Sequence, residues 1–199
     1  YDGIRNLVEA KSETCLQPLP NTTNNLLLHS LCNDKDAPLY LIQFVLAAHK
    51  EVTMMPNDAG KLPLHIACGR RGNPAATTQL ILELISANGK ACGVGIVDEE
   101  GEGEGEGNTA TTLLNLPLHE VLACDTGVDI ESVGTMLLEI YPDAVKLKRG
   151  SPARYPLEIG LLRSAPDNFM VMMLDIYPPA AKQFSALSYP SLVHWALCT

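Results

Sequence analysis

The sequence predicts an all-α fold, an open solenoid of stacked helix pairs, and three features of its 199 residues predict it. A four-residue motif recurs at related intervals. A second apolar marker recurs inside each interval. Helix-starting and helix-stopping residues fall between the two at matching places. Recurrence at a period of roughly 20–50 residues marks an array of supersecondary units, each too small to bury its own apolar face.

The motif reads Leu26-Leu27-Leu28-His29, Leu62-Pro63-Leu64-His65, Leu116-Pro117-Leu118-His119, Tyr155-Pro156-Leu157-Glu158 and Ser191-Leu192-Val193-His194. Its last residues are 36, 54, 39 and 36 positions apart. The long interval holds a Gly-Glu run and fits one 36-residue unit carrying an 18-residue insertion. The approximate units are therefore 1–25 (partial), 26–57, 58–92, 109–150, 151–187 and 188–199 (partial), with 93–108 as a flexible acidic insertion.

Each unit reads as two short helices. The first opens at the motif proline, whose missing N–H costs nothing in a first helical turn. It is expected over about 63–70, 117–124, 156–163 and 190–197, stopped by Gly69 and Gly72, by Gly127, and by Ser164 to Pro166. The second helix starts after the capping residues Asp36, Asn73 and Asp129, with Pro166-Asp167 in the same role. It carries the second marker: Phe44 to His49, Leu82 to Ala87, Met136 to Pro142 and Met172 to Pro178. Val133, Met136 or Leu137, and Ile140 keep helical spacing for a buried face, and Pro142 and Pro178 end the helices. Helices this short are not stable alone in water, so the pairs must stack.

The stretch Leu62-Pro63-Leu64-His65-Ile66-Ala67 resembles the T-P-L-H-x-A signature of ankyrin repeats. The family's Leu-Leu pair resembles Val45-Leu46 and Leu137-Leu138, and Tyr1 to Cys15 resembles the outer helix of a preceding unit. The likeness runs from about Leu26 to the end, and the longer period and Tyr-Pro ending are similar to divergent ankyrin-like arrays of algae and other protists. It implies a structural repeat motif of Leu28, His29, Pro63, Leu64, His65, Pro117, Leu118, His119, Pro156, Leu157 and His194, with His65 and His119 bonding backbone in the neighbouring connector. Several positions depart from the family. Leu62, Leu116 and Tyr155 stand where it has Thr, Glu158 replaces the His, and Pro is missing before His29. Tyr-Pro-Asp-Ala at 141–144 and Tyr-Pro-Pro-Ala at 177–180 replace the Gly-Ala-Asp that opens its two-stranded finger. Extended connectors with few paired backbone groups are therefore expected.

Composition narrows the function. Fourteen Lys and Arg stand against 23 Asp and Glu, and six of those acids lie between Asp98 and Glu106. A nucleic-acid partner, which needs concentrated cationic side chains, is not expected. No apolar run reaches the ~20 residues of a membrane span. With no initiating Met, the chain is expected to be truncated at both ends. It is expected to be monomeric or part of a longer protein, in the cytoplasm. The six cysteines lack C-x-x-C pairs and read as buried thiols in a reducing compartment.

No enzyme activity, metal or cofactor is expected. His29, His65, His119 and His194 sit one unit apart, on the order of 10 Å in a stack, whereas zinc holds its nitrogens at roughly 2.0–2.1 Å. His29–Cys32 and His65–Cys68 share helical faces but lack an orienting third group and an exposed thiol of low pKa. The Gly-Glu run carries the wrong charge for phosphate and lacks the spacing of a calcium loop. Asn21-Thr22-Thr23 matches the glycosylation pattern but reads as an unused surface loop.

Protein binding remains, through the face formed by the first helices and their preceding connectors. Asn57, Asp58, Lys61, Arg70, Arg71, Lys146, Lys148, Arg149 and Arg154 are the candidate contacts. The alternative is a purely architectural segment of a larger multidomain protein. The register itself is testable by denaturant melts. Leu64→Ala should cost about 2–5 kcal/mol, His65→Ala roughly 1–3 kcal/mol, and Glu102→Ala at most about 0.5 kcal/mol. A Glu102 variant more damaging than the other two would refute the register.

Overall fold

The computed structural model describes residues 16–20, 25–97, 114–124, 127–150 and 153–183. The expectations for Tyr1 to Cys15, the Asn21 sequon, residues 98–113 and the motif at His194 lie outside the described residues.

The fold is all-α. Its first helices are α1 (Leu27–Asn33), α3 (Pro63–Gly69), α5 (Pro117–Ala123) and α7 (Pro156–Leu162). Its second helices are α2 (Leu39–Ala48), α4 (Pro74–Ala87), α6 (Ile130–Ile140) and α8 (Asp167–Ile176), followed by the short α9 (Ala180–Gln183). Contacts run α1–α3–α5–α7 along one layer and α2–α4–α6–α8 along the other, and each first helix also packs on its own second helix. The core lies between the layers. Leu28, Leu64, Leu118 and Leu157, the third residue of each motif, are all buried there, with Leu41, Ile42, Leu80, Ile81, Leu84 and Phe169 opposite.

Local chemistry sets the helix ends. Pro63, Pro117 and Pro156 are first helical residues. The Asn73 side chain accepts from the Ala75 and Ala76 N–H groups, and Asp129 accepts from Ser132 N–H at 3.1 Å. Asp36 does not cap. Its own N–H donates to Asp34 Oδ1 at 3.0 Å, and α2 starts at Leu39 after Pro38. The residue before a proline is pushed out of the helical region, so Ala37 cannot begin the helix. Ile140 is a second correction: it is 43% exposed, and Leu138 is buried in its stead beside Val133 and Leu137. Its side chain lies over Gly89, where a Cβ would approach it to 3.2 Å. At the end of α7, Ser164 adopts φ +54° while Ala165 N–H reaches back to Gly160 O at 2.8 Å. That is a Schellman stop with serine in the place glycine normally takes.

The connectors correct the expectation of unpaired loops. The second helices end at His49, Asn88, Tyr141 and Tyr177, whose φ values are −142°, −155°, −135° and −139°. After the first three the chain tightens into 3-10 turns, Lys50–Met54, Gly89–Gly93 and Pro142–Lys146. These turns insert Val52, Ala91 and Val145 into the core, which draws the connector against the helices. Each connector then folds back on itself. Asn57 N–H donates to Lys61 O at 3.0 Å, β1 (Ile96–Val97) pairs antiparallel with β2 (Leu114–Asn115), and Arg149 and Arg154 exchange two bonds of 2.9 Å. Gly93 to Val97 thus belong to a built connector rather than to a flexible insertion beginning at 93.

Gly134, in the middle of α6, faces Phe169, and a Cβ there would lie 2.5 Å from two ring atoms. Helix propensity alone favours alanine by about 1 kcal/mol, whereas overpacking a core typically costs 1–3 kcal/mol. Gly134→Ala should therefore destabilise the fold by about 1–2 kcal/mol in urea unfolding. A gain in stability would show that the Phe169 ring is free to move aside.

Candidate functional site

The motif histidines occupy the third position of each first helix, where the opening N–H groups lack partners. Nδ1 of His29, His65 and His119 accepts the N–H of Leu26, Leu62 and Leu116 at 3.1, 3.3 and 3.1 Å. An Nδ1 that accepts leaves the ring proton on Nε2. Nε2 donates to the carbonyls of Lys61, Val94 and Leu147 at 3.1, 3.0 and 3.1 Å, each in the connector that follows. One neutral ring therefore closes the start of its helix and holds the next connector. At Glu158 half of this survives: Tyr155 N–H donates to Oε2 at 2.6 Å, but a carboxylate has no proton to pass on.

Burial pushes His65 and His119 down to about 4, against the pull of the Glu120 carboxylate near each, and it lowers His29 as well. Burial raises Cys32 to about 12 and Cys92 to about 11, and holds Cys68 well above the ordinary thiol value. Cys124 is raised by burial and by Glu120 beside it. These thiols stay protonated at neutral pH. Among the described residues, no group of three His, Cys, Asp or Glu could hold a metal ion, and no helix is long and apolar enough to cross a membrane.

The position after the motif residue on each first helix is Ser30, Ile66, Glu120 or Ile159; Ser30, Ile66 and Ile159 are half-buried, whereas Glu120 is buried. Ser30, Ile66 and Glu120 line a groove of about 430 Å³ with Asn33, Asp34, Asn57 and Lys61. Glu120 is anchored there from three sides. It accepts from Asn115 Nδ2 at 2.6 Å and from Cys124 Sγ at 3.6 Å, and lies 3.7 Å from Arg149 Nη2.

Of the residues expected to contact a partner, Asn57 and Lys61 reach this groove. Asn57 also shapes its connector: Oδ1 accepts from Ala59 and Lys61 N–H, and Nδ2 donates to Asn25 Oδ1 at 2.9 Å. Asp58 and Arg71 are exposed. Arg70 is withdrawn from the candidate surface, since it is 4% exposed and its Nη2 donates to Lys35 O at 2.8 Å, joining neighbouring units. The basic cluster divides. Lys146 pairs with Asp143 at 2.5 Å, Lys148 lies 4.7 Å above the Tyr155 ring, and Arg149 and Arg154 face elsewhere. Sequence reasoning missed Ser30, Asn33, Asp34 and Glu120. The signal for Ser30 and Glu120 was their shared place one residue after the motif His.

A scan against protein-family models gives no match, and a search of curated proteins finds no similar sequence.

The histidine pKa values give stability a sign. Their folded values lie below the unfolded 6.5, so between about 6.5 and 4 the unfolded chain binds more protons than the folded one. Stability is then complete above about 6.5 and falls as pH drops toward 4, by about 3 kcal/mol for each of His65 and His119. Urea melts across this range should show the fall, and the His65→Gln/His119→Gln double variant should flatten it. Equal slopes in the two proteins would contradict the assignment.

Proposed function

We propose that this chain is a divergent ankyrin-like repeat solenoid that binds a protein partner on the face of its first helices and their preceding connectors. The observation that carries the reading is the contrast between adjacent positions. One residue of each motif is fixed in a hydrogen-bonded role, while its neighbour changes from unit to unit: Ser30, Ile66 and Ile159 are partly exposed and Glu120 lines the groove from a buried, anchored position. Such a scaffold varies its contacts without altering its core. The repeated signature, its 36-residue spacing and the two layers of short helices support the ankyrin-like assignment. The reading gives the chain no catalysis and no cofactor. Its protonated free thiols, of which Cys32, Cys68 and Cys92 are buried, suit a reducing intracellular compartment.

Affinity capture with the intact chain and two variants tests the reading. Ser30→Arg with Asn33→Arg obstructs the groove, and Val171→Arg alters an exposed site on the second-helix layer. A partner held by the wild type should be retained by the Val171 variant and lost, by at least about tenfold in Kd, by the groove variant. Loss in the Val171 variant alone would put the binding face on the other layer. Absence of any partner would favour the purely architectural role.

A further inference from the structure

A second, smaller concavity lies on the same face. It measures about 210 Å³ and is bounded by Arg149, Arg154 and Arg163 over Ala123, Ile159 and Leu162. Three arginines line this one pocket in a chain of net charge −9.

The pairing geometry adds an independent point. Arg149 and Arg154 exchange both backbone bonds of one antiparallel pair, so their side chains leave the connector on the same face. Like charges directly opposite in such a pair repel. Arg149 is held by the His119 carbonyl at 3.3 Å and by Glu120. Among the described residues no carboxylate pairs with Arg154 or Arg163. Lys148, one residue along, points to the opposite side onto Tyr155 and does not line the pocket. The floor is apolar, and Leu162 is 44% exposed, large for a leucine beside a core.

We propose that this pocket is an acidic-side-chain subsite, which seats an Asp or Glu of a protein partner between the arginines and an adjacent apolar side chain on Leu162 and Ile159. A carboxylate matches the fork of a guanidinium in two parallel bonds, and Arg154 and Arg163 are the two arginines of the pocket not already held by Glu120. The apolar floor suits a peptide segment better than a bare anion, and the chain's overall negative charge disfavours a polyanionic strand. The inference rests on the protein-binding reading and names the chemistry its partner presents.

Random dodecapeptides displayed on phage provide the probe, selected against the intact chain and then measured by fluorescence anisotropy. Selected peptides should be enriched in Asp or Glu beside an apolar residue, and their affinity should fall with added salt. Arg154→Gln and Arg163→Gln, both away from the core, should each weaken binding by roughly 10- to 100-fold. Glu→Gln in the peptide should do the same, with circular dichroism confirming that the variants fold. Peptides without acidic enrichment, bound equally by the Arg154→Gln and Arg163→Gln variants and weakened only by Ser30→Arg, would overturn the subsite while leaving the binding face standing. Failure to select any peptide would overturn both. Tighter binding of a single-stranded oligonucleotide than of any peptide would overturn the subsite in favour of a nucleic-acid surface.

Discussion

A neutral imidazole has one acceptor and one donor, and in this protein both are spent on backbone. The acceptor closes the first N–H of a helix and the donor holds a carbonyl 32, 29 or 28 residues further along. That carbonyl belongs to the next connector, so the ring sets how far the chain travels before it must return. The spacing of units follows from this constraint together with the length of two helices. It also explains where extra sequence is accommodated. Residues 98–113 fall after Val94, where the His65 bond ends, and before Leu116, where the His119 bond begins. Neither bond spans them.

Burial makes the arrangement stable. The leucine beside each motif residue fills the space between layers, and the 3-10 turns after the second helices bring Val52, Ala91 and Val145 onto the same core. Unpaired polar groups in such an interior are expensive, which is why the helix openings are capped by histidine or, at Glu158, by a carboxylate. Residues one step along the helix share no common role, and of them Glu120 is itself buried and held by Asn115, Cys124 and Arg149. Ser30, Ile66, Glu120 and Ile159 differ in size and charge yet occupy equivalent places. A surface built this way presents distinct chemistry at each unit, polar near Asn33 and Asp34 and cationic near Arg154 and Arg163.

Much of the fold was legible because its signals are local. Proline at the first helical position, Asn73 and Asp129 as caps, and leucine at 3.6-residue spacing each act within one turn. Asp36 misled because Pro38, two residues on, overrides a capping side chain. The connectors misled because Tyr-Pro breaks a helix in sequence terms, while the 3-10 turn that follows depends on contacts with the next unit. The face was less legible still. Arg70 and Arg163 each follow their helix by the same offset, yet one is buried against Lys35 O and the other is exposed. Only the neighbouring unit decides between them, and charge counting along the chain cannot see it.

Long-range proton–nitrogen correlation spectra of the imidazoles test the shared role of His29, His65 and His119 most directly. At about pH 6 His65 and His119 should be neutral, with the proton on Nε2 and Nδ1 shifted as an acceptor, and should titrate only near 4, while His29 should show the same tautomer and titrate below the ordinary imidazole value. Rings protonated on Nδ1, or a His65 or His119 ring charged at that pH, would contradict the double backbone bond on which the stacking depends.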